Sequence, residues 1–589
     1  MTTIAGIDVG NSTTEIVIAR TDEGRLDIVC SGTATTEGTK GSPQSLRRAA
    51  RLLEQLERKH DVATEIVAMA RFQPVVTDLV ELPLVAPTGG RLVSVPTPAL
   101  TPSGQGLAVG RHTSLEELPE RTDEPIVVSV PPDVDFADAA ARINAAVHDG
   151  LTITGVLCEA DEAVLIGNRL ARPVPVLDEA ALSQFLPGEL VLFEIGGPGG
   201  HVQTLADPVA LTRCAGLPAD AVGEAVEIAA QSAESRVALI RRRENRPHDK
   251  ASAGSAWVEH EVEGGLRRLA LGGELGALAE IAPGSVRALQ LPSRDRTAKG
   301  GAPDSTVRDL FAPDLPHIVR QPLVRRGSVH LCRVPLSLLR DGDERLSSPR
   351  RLSRHLGRPV VVETNEALAA HHGAMTTPGA PCSSLVCDIG AGTINVAHEA
   401  GSVTVAGSGD LLTLAAASVL GISVPLAERV KRYTSVKALT PHLLHDESGD
   451  QRFADRMVAG HAVGMLCAET PTSLLPFGVN LAPEEWRSLR LTLKTAVIGA
   501  NLERALRALS QTPVALLLCG GGALDNEVVR SVSDALSERS CAVGRADIAG
   551  SLGPRYAVAF GLVLTHLHSS LGTKTKLAIR GDGRIHRRS

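Results

Sequence analysis

The fold is decided by two short stretches of sequence, DVGNSTT at Asp8–Thr14 and DIGAGT at Asp388–Thr393. In each, an apolar strand ends in an aspartate, and glycine and small or hydroxyl residues follow before the next apolar stretch. Glycine lets the backbone approach a ligand closely, and turn amides can converge on phosphate oxygens. The aspartate suits hydrated Mg²⁺, which prefers carboxylates and keeps several waters. We call these stretches the first and second phosphate turns, and together they predict two facing half-sites around the phosphates of a nucleotide.

A third stretch, LLLCGGGA at Leu516–Ala523, places three glycines directly after an apolar strand. Such a strand end presents a flat, open backbone surface, which suits an adenosine moiety. We call Gly520–Gly522 the glycine loop. Alone, this pattern is as typical of an ordinary turn as of a binding site, so the prediction depends on the two phosphate turns.

The composition indicates a globular protein with several domains. The chain has 589 residues, which is too long for one ordinary core, and 43% of them are hydrophobic. A net charge of −7 and an aromatic content of 2% give no reason to expect nucleic-acid binding. Nine cysteines without a Cys-x-x-Cys pair predict reduced thiols and a cytoplasmic protein. No apolar run approaches the roughly 18 residues of a membrane span, and a strand begins at Thr2, so we expect neither a membrane segment nor a signal peptide.

Apolar periodicity predicts strands and helices in alternation. After the hairpin around the first phosphate turn, Ser42 and Pro43 predict the start of a helix whose apolar stripe is Leu46, Ala49, Leu53 and Leu56. A second α/β pattern predicts strand Ile126–Val130, helix Phe136–His148, strand Leu151–Cys158 and strand Pro173–Leu177. A less regular stretch between about Thr434 and Phe477 is interpreted as an insert.

The order of these motifs resembles that of the superfamily of actin, sugar kinases and heat-shock chaperone ATPases. The stretch Asn365–Ala370 is similar to the chaperone-type connector, and the resemblance implies that Glu366 orients the attacking water or the metal. The alternative is a helix-capping glutamate after an N-cap at Thr364. The predicted fold class is α/β, an actin-like (ribonuclease H-like) split ATPase domain with an inserted α/β swivelling domain.

A narrower resemblance runs in order from Ile4 to about Leu564. The chain resembles the large subunit of the diol and glycerol dehydratase reactivating factors. The matching stretches are Ile4–Glu15, Asp135–Asp138 with Ile153–Val156, Asn168–Leu170, Asp388–Thr393, Leu426–Glu428 with Lys431, and Gly553–Arg555 with Ala557–Ala559.

The resemblance implies a molecular-chaperone-like ATPase that acts on an inactivated adenosylcobalamin-dependent dehydratase. The ADP-bound factor releases damaged cobalamin, and ATP binding then frees the apoenzyme to take up intact coenzyme. The family's large subunit works with a small subunit, as a heterotetramer of two large and two small chains. The sequence leaves open which diol the client dehydratase uses and whether the complex associates with a bacterial microcompartment.

The resemblance also implies the residues of each site. Catalysis falls to Asp8, Glu366 and Asp388, with ATP or ADP and Mg²⁺ as ligands. Nucleotide contacts fall on Gly10, Asn11, Ser12, Thr13, Gly390, Gly392, Thr393, Glu428, Lys431, Arg432, Gly521, Gly522 and Arg555. For the 428–432 helix, a solvated charged face is the alternative. A second metal site facing the small subunit falls on Thr101, Asp161 and Asp178, which are otherwise ordinary turn residues.

The expected division of the chain follows from these motifs. We assign residues 1–90, 257–433 and 481–570 to the ATPase domain, 91–103 and 226–256 to linkers, 104–225 to the swivelling domain, 434–480 to an insert domain, and 571–589 to a basic, disordered tail.

One departure from the family concerns the second phosphate turn. Asn395 stands where the family commonly has an aspartate, which removes a charge beside the phosphates and leaves the hydrolysis rate open.

Three other functions use the same fold. A small-molecule kinase of the sugar-kinase type needs a general-base aspartate, and no clear candidate lies near the second phosphate turn. A scaffold with a degenerate site conflicts with the intact Asp8, Glu366 and Asp388. An activator of radical acyl-CoA dehydratases needs surface cysteines for an iron–sulfur cluster, whereas the cysteines here fall mostly on apolar strands.

Overall fold

Six β-sheets, with helices packed against them, make up the part of the chain that the computed structural model describes. The described residues are 2–22, 25–80, 91–95, 102–180, 182–197, 201–218, 221–232, 236–242, 256–271, 275–291, 304–315, 318, 334–341, 349–478, 481–509, 513–571 and 578–580.

The first phosphate turn joins two strands of a six-stranded sheet, which we call the first-lobe sheet. Thr2–Val9 pairs antiparallel with Thr13–Asp22, and this hairpin is almost entirely buried because apolar residues occupy both faces. In spatial order the strands are Val360–Val362, Ile66–Met69, Thr2–Val9, Thr13–Asp22, Arg25–Thr35 and Ala578–Arg580.

The helix Pro43–His60 covers one face of the first-lobe sheet. Its start is confirmed, since the Ser42 hydroxyl accepts a hydrogen bond from the Ser45 N–H and proline occupies the first turn. The predicted apolar stripe is also confirmed, and it consists of Leu46, Ala49, Leu53 and Leu56, all buried.

A five-stranded second-lobe sheet repeats this arrangement around the second phosphate turn. Leu385–Ile389 pairs antiparallel with Thr393–His398 and parallel with Ala515–Cys519. Because carboxyl ends of parallel strands meet at one sheet edge, the second phosphate turn and the glycine loop emerge side by side. The strand order is Gly401–Ala406, Thr393–His398, Leu385–Ile389, Ala515–Cys519 and Ala542–Arg545.

Two helices, Glu366–Ala374 and Ala557–Leu571, pack closely between the two lobes. A Cβ atom at Gly373 would overlap the carbonyl oxygen of Ala557, and one at Gly561 would overlap that of Ala369. The crossing therefore requires glycine on both helices. One hydrophobic cluster spans the crossing and contains residues of both sheets, Ile4 and Val17 from the first and Val386 and Leu517 from the second.

A separate seven-stranded sheet is formed by strands between residues 92 and 242. The predicted helix Phe136–His148 is confirmed, and the predicted strands at 151–158 and 173–177 are shorter than expected. The strand order is Val176–Leu177, Ile153–Cys158, Ile126–Val130, Gly106–Ser114, Leu190–Ile195, Val237–Arg242 and Leu92–Ser94. Its helices are Phe136–His148, Ala163–Gly167, Pro208–Cys214 and Val222–Ser232.

Three smaller sheets complete the fold. Two have three strands each, Gly265–Ala270, Trp257–Val262 and Val286–Gln290 in one, and Val307–Phe311, Val334–Arg340 and Val75–Val80 in the other. The third contradicts the expectation of an irregular stretch, because its five antiparallel strands are Gln451–Phe453, Leu443–Asp446, Ser435–Thr440, Leu466–Glu469 and Leu474–Gly478. Strands of three to six residues are too short to show a clear alternation in sequence.

The remaining helices belong mainly to the second lobe. They are Pro349–Leu356, Gly409–Leu420, Val424–Val430, Pro483–Lys494, Ala500–Leu509 and Asn526–Ala535, with a π-helical turn at Thr495–Gly499. Among the described residues, no single helix has the length and hydropathy of a membrane span. The helices Gly409–Leu420 and Val424–Val430, which are bent by 106° relative to each other, together have the length and composition of such a span.

Candidate nucleotide site

The two phosphate turns are built alike. The Gly10 N–H donates to the Thr13 carbonyl oxygen at 2.8 Å, and the Gly390 N–H donates to that of Thr393 at 3.0 Å. In the first hairpin Asp8 lies opposite Glu15, and in the second Asp388 lies opposite Asn395. Each turn thus places one carboxylate beside a polar partner on the next strand.

The first and second phosphate turns contact each other across the two lobes. The space beside Gly392 is filled by the side-chain amide of Asn11, which a Cβ atom at position 392 would overlap. The Asn11 amide also lies 3.5 Å from the Val75 carbonyl oxygen. A side chain at position 392 would therefore displace Asn11 from the contact between the two turns.

The glycine loop packs against the second phosphate turn. Gly520 has a φ of +81°, and a Cβ atom there would overlap a carboxylate oxygen of Asp388. The neighbouring Gly521 faces open space. Gly521 is therefore the exposed glycine of the loop, and the adenosine contact stays a prediction.

Lys40, which the sequence analysis missed, is the cation at the centre of the site. Its ammonium group forms an ion pair with Glu366, and the two side chains are only 7% and 12% exposed. Burial would lower the pKa of Lys40, but Glu366, Asp8 and Asp388 raise it above its ordinary value. Lys40 therefore stays charged. Since 326 residues separate it from Glu366, no local pattern could have predicted the pair.

Negative charge exceeds positive charge around Lys40. Burial raises the pKa of Asp8 well above its ordinary value, and Glu366 and Glu15 raise it further. Burial likewise raises the pKa of Asp388 to about 6, against a hydrogen bond from Asn395. Carboxylates that lack counter-charge are suited to a divalent cation.

The arrangement fits a hydrated ion better than a directly ligated one. Within the described ranges, no three His, Cys, Asp or Glu side chains are close enough to form a metal-ligand set. Mg²⁺ commonly keeps several waters and takes only one or two carboxylates. Asp8 and Asp388 are the carboxylates that would hold it here.

Asn395, which stands where the family commonly has an aspartate, hydrogen-bonds to Asp388. Its buried amide donates to Asp388 Oδ2 at 3.1 Å, and its oxygen accepts from the Thr404 hydroxyl at 2.8 Å. Asn395 therefore holds one oxygen of Asp388 in place.

Arg555 lies beside the first phosphate turn. Its guanidinium group is 3.2 Å from Glu15 Oε1 and 3.4 Å from the Thr13 hydroxyl. Glu15 also accepts from Thr33, and burial raises its pKa. Glu15 is a second residue that the sequence analysis missed, although its position opposite Asp8 in the predicted hairpin was a usable signal. The nucleotide contact that the resemblance implies for Arg555 stays a prediction.

The predicted charged helix residues form one cluster. Lys431 is buried, lies 2.6 Å from Glu428 and donates to the Gly409 carbonyl oxygen at 2.7 Å. Arg432 forms an ion pair with the other Glu428 oxygen. Burial lowers the pKa of Lys431 despite Glu428, while Lys431 holds the pKa of Glu428 low against its own burial.

An acidic residue that the sequence analysis missed, Asp410, lies beside the second phosphate turn. The Asp410 N–H donates to the Ala391 carbonyl oxygen at 2.7 Å. Burial raises the pKa of Asp410, while Lys431 and a hydrogen bond from Asn11 lower it. The sequence did not indicate this position, because Asp410 follows the turn by 17 residues and the strand Gly401–Ala406 brings the chain back to the turn.

The capping alternative for Glu366 needs correction. The N-cap of its helix is Asn365, whose side-chain oxygen accepts from the Leu368 N–H at 2.8 Å, and not Thr364. Glu366 occupies the first helical turn, where negative charge is favourable, and it points to Lys40.

The proposed second metal site is only partly described. Thr101 lies outside the described residues. Asp161 and Asp178 follow neighbouring parallel strands, and both raise the pKa of Glu179, although burial contributes more. A third carboxylate, Glu179, therefore lies near this pair. Its φ of +51° is rare for a residue with a side chain.

Comparisons with known proteins agree with this geometry. The family model of the diol dehydratase reactivase ATPase-like domain matches residues 346–566. The family model of the DD-reactivating factor swiveling domain matches residues 96–245. The ATPase-like domain supports nucleotide binding in general. These matches give no support to the small-molecule kinase.

Two curated relatives span almost the whole chain. The propanediol dehydratase-reactivating factor large subunit of Salmonella typhimurium is 30% identical over 599 residues, covering 95% of this chain and 98% of that protein. The diol dehydratase-reactivating factor large subunit of Klebsiella michiganensis is likewise 30% identical, with the same coverage.

Two solved structures are also similar. Diol dehydratase-reactivating factor in nucleotide-free form has a TM-score of 0.57 and 28% identity, covering 96% of this chain and 100% of that chain. A glycerol dehydratase reactivase has a TM-score of 0.57 and 25% identity, covering 96% and 99%. The expected actin-like fold with an inserted swivelling domain is confirmed, and the chain belongs to the family of dehydratase-reactivating factor large subunits.

Proposed function

We propose that the chain is the ATPase subunit of a factor that reactivates an adenosylcobalamin-dependent diol or glycerol dehydratase. ATP hydrolysis drives release of damaged cobalamin and its replacement by intact coenzyme. The observation that carries the proposal is the meeting of both phosphate turns around the buried Lys40–Glu366 pair. The proposal that a dehydratase is the client protein rests on the family to which the chain belongs.

The nucleotide's phosphates are bound by Asn11, Ser12 and Thr13 of the first phosphate turn and by the glycines and Thr393 of the second. Backbone amides and hydroxyls in such turns stabilise phosphate oxygens without reorganisation. The glycine loop, with Glu428 and Arg432, holds the adenosine side.

Hydrolysis depends on the charged residues between the two turns. Asp8 and Asp388 hold the hydrated Mg²⁺, which supplies positive charge to the phosphate oxygens when bound. Glu366 orients the attacking water through Oε2, since Oε1 pairs with Lys40. Lys40 fixes Glu366 by their ion pair and adds a positive charge where phosphoryl charge develops.

The inserted unit mediates assembly with a small subunit, in a complex of two large and two small chains. Thr101, Asp161 and Asp178 hold a second cation there, and hard oxygen ligands of this kind suit Mg²⁺ or Ca²⁺. The neighbouring Glu179 adds negative charge in support of a cation.

The proposed domains keep the predicted ranges with two changes. Leu92–Ser94 and Val237–Arg242 belong to the swivelling domain and not to linkers, because they are strands of the seven-stranded sheet, and Ala578–Arg580 belongs to the ATPase domain and not to a disordered tail, because it is a strand of the first-lobe sheet.

The ATPase assignment can be tested on the purified chain. Asp8→Ala and Glu366→Ala are expected to slow phosphate release at least about 100-fold, with the circular dichroism spectrum unchanged. Wild-type turnover in either variant would show that these residues do not perform the assigned steps.

A further inference from the structure

One long helical segment of the second lobe contains a set of fully buried polar side chains. It runs from Pro483 to Leu509 with a π-helical turn at Thr495–Gly499, and we call it the π-interrupted helix. Arg490, Lys494, Asn501 and Arg504 are 2%, 1%, 0% and 1% exposed. Burying such groups is costly unless each is fully paired, and apolar residues would serve packing as well. The hydrogen-bond partners of these four side chains therefore indicate which segments of the second lobe they hold in place.

The first half of the π-interrupted helix holds the segment after the glycine loop. Lys494 Nζ lies 2.6 Å from Asp525 Oδ2 and 2.7 Å from Glu527 Oε2. Asp525 caps the helix Asn526–Ala535, and its N–H donates to the Gly522 carbonyl oxygen at 3.1 Å. Lys494 is thus joined to the glycine loop through one residue.

Arg490 reinforces this contact from the same side. Its guanidinium group donates to both oxygens of Glu527, at 2.8 and 2.6 Å, and to both oxygens of Glu447 at 2.9 and 3.1 Å. Bidentate pairs of this kind fix orientation as well as distance. The segment after the glycine loop is therefore clamped by two cations of one helix.

The second half of the helix holds the segment behind the second phosphate turn. The Asn501 amide donates to the carbonyl oxygens of Ala406 and Gly407, both at 2.6 Å. The Gly407 N–H in turn donates to the Gly392 carbonyl oxygen at 2.9 Å. Asn501 is therefore joined to the second phosphate turn through one residue.

A buried ion pair fixes Asn501 itself. Arg504 donates to Asn501 Oδ1 and to Asp309 Oδ1, each at 2.7 Å, and Asp309 Oδ2 accepts from the Ala406 N–H at 2.7 Å. The π-helical turn lies between the two clusters. Such turns change the direction of the residues that follow and are frequent at functional sites.

We propose that Lys494 and Asn501 are positioning residues for the nucleotide. Lys494 holds the glycine loop that faces adenosine, and Asn501 holds the second phosphate turn that faces the phosphates. The proposal rests on the proposed nucleotide site. In it, the π-interrupted helix sets the distance between the glycine loop and the second phosphate turn.

The test measures binding to the full chain in complex with its small subunit. Displacement of a fluorescent ADP analogue gives the dissociation constants of Mg-ADP and of adenosine for the wild type, Lys494→Met and Asn501→Leu. Lys494→Met is expected to weaken both ligands about tenfold, and Asn501→Leu to weaken Mg-ADP about tenfold with adenosine unchanged, since each removes a buried hydrogen bond. Lys494→Arg, which keeps the charge, is expected to recover much of the loss.

Leu506→Ala serves as the matched control, because Leu506 is buried on the same helix and contacts neither motif through a hydrogen bond. Thermal unfolding is measured for every variant. Wild-type affinities in Lys494→Met and Asn501→Leu would overturn the proposal, as would equal weakening in Leu506→Ala at a matched loss of thermal stability. A wild-type chain that does not bind Mg-ADP would instead overturn the proposed function.

Discussion

At the scale of single residues, the site depends on one lysine among several carboxylates. Lys40 pairs with Glu366 and lies near Asp8 and Asp388, which together leave an excess of negative charge. A polyanionic nucleotide could not approach these carboxylates without compensating cations. In the proposed mechanism, Lys40 and a bound Mg²⁺ supply this compensation beside Asp8 and Asp388.

Lys40→Met is therefore expected to slow phosphate release at least about 100-fold, because it removes a fixed positive charge near the reacting phosphate. The measurement is steady-state phosphate release at saturating Mg-ATP. Lys59→Met is the matched control, since Lys59 is an exposed lysine at the end of the helix Pro43–His60. Equal turnover in the two variants would exclude a role for Lys40.

A second residue-scale prediction concerns Glu527. Burial would raise its pKa, but Arg490 and Lys494 lower it to about 2. Because the folded-state pKa is depressed, Glu527 contributes stability above its unfolded pKa of about 4.3, and this stability is lost as the pH falls toward 2. We expect Glu527→Gln to be about 3 kcal/mol less stable at pH 7, with the difference shrinking below pH 4.

Urea unfolding of the wild type and Glu527→Gln across pH 3 to 7 checks this linkage. The exposed Glu538→Gln is the control, and we expect its stability to stay close to that of the wild type at every pH. A constant difference between the wild type and Glu527→Gln over the whole range would show that its ionisation is not linked to folding.

At the scale of elements, the crossing of Glu366–Ala374 with Ala557–Leu571 sets how closely the lobes approach. We expect Gly561→Ala to destabilise the chain by about 2 kcal/mol or more, because its Cβ atom would overlap the backbone of the other helix. Thermal unfolding measures the effect. Gly223→Ala is the control, since open space surrounds that helical glycine, and it is expected to be neutral or slightly stabilising. Similar unfolding of both variants would contradict the close packing.

Elements with local signals could be predicted from the sequence. The helix after Ser42 and Pro43 and both phosphate turns follow from caps, glycines and apolar periodicity. The sheet at 435–478 could not be predicted, because its short strands are specified by distant contacts such as Glu447 with Arg490. The same limit applies to the site, where the Lys40–Glu366 pair depends on the meeting of remote segments.

At the scale of the whole molecule, the seven-stranded sheet lies largely in the range that matches the swiveling-domain family model, residues 96–245. We expect Asp161→Ala to weaken assembly with the small subunit about tenfold or more, the scale on which changes around a metal site act. Analytical size-exclusion chromatography of mixed subunits measures this. Asp149→Ala, an exposed aspartate of the same unit, is the control. Undiminished assembly of the Asp161 variant would remove the second cation from the account.

The central claim is that ATP hydrolysis by this chain reactivates a dehydratase. The most direct measurement mixes the chain and its small subunit with a cobalamin-inactivated diol or glycerol dehydratase, ATP, Mg²⁺ and fresh adenosylcobalamin, and follows dehydratase activity. We predict recovery with the wild type, and none with Asp8→Ala or when a non-hydrolysable ATP analogue replaces ATP. Failure of the wild type to reactivate any such dehydratase, or equal recovery with Asp8→Ala, would contradict the account.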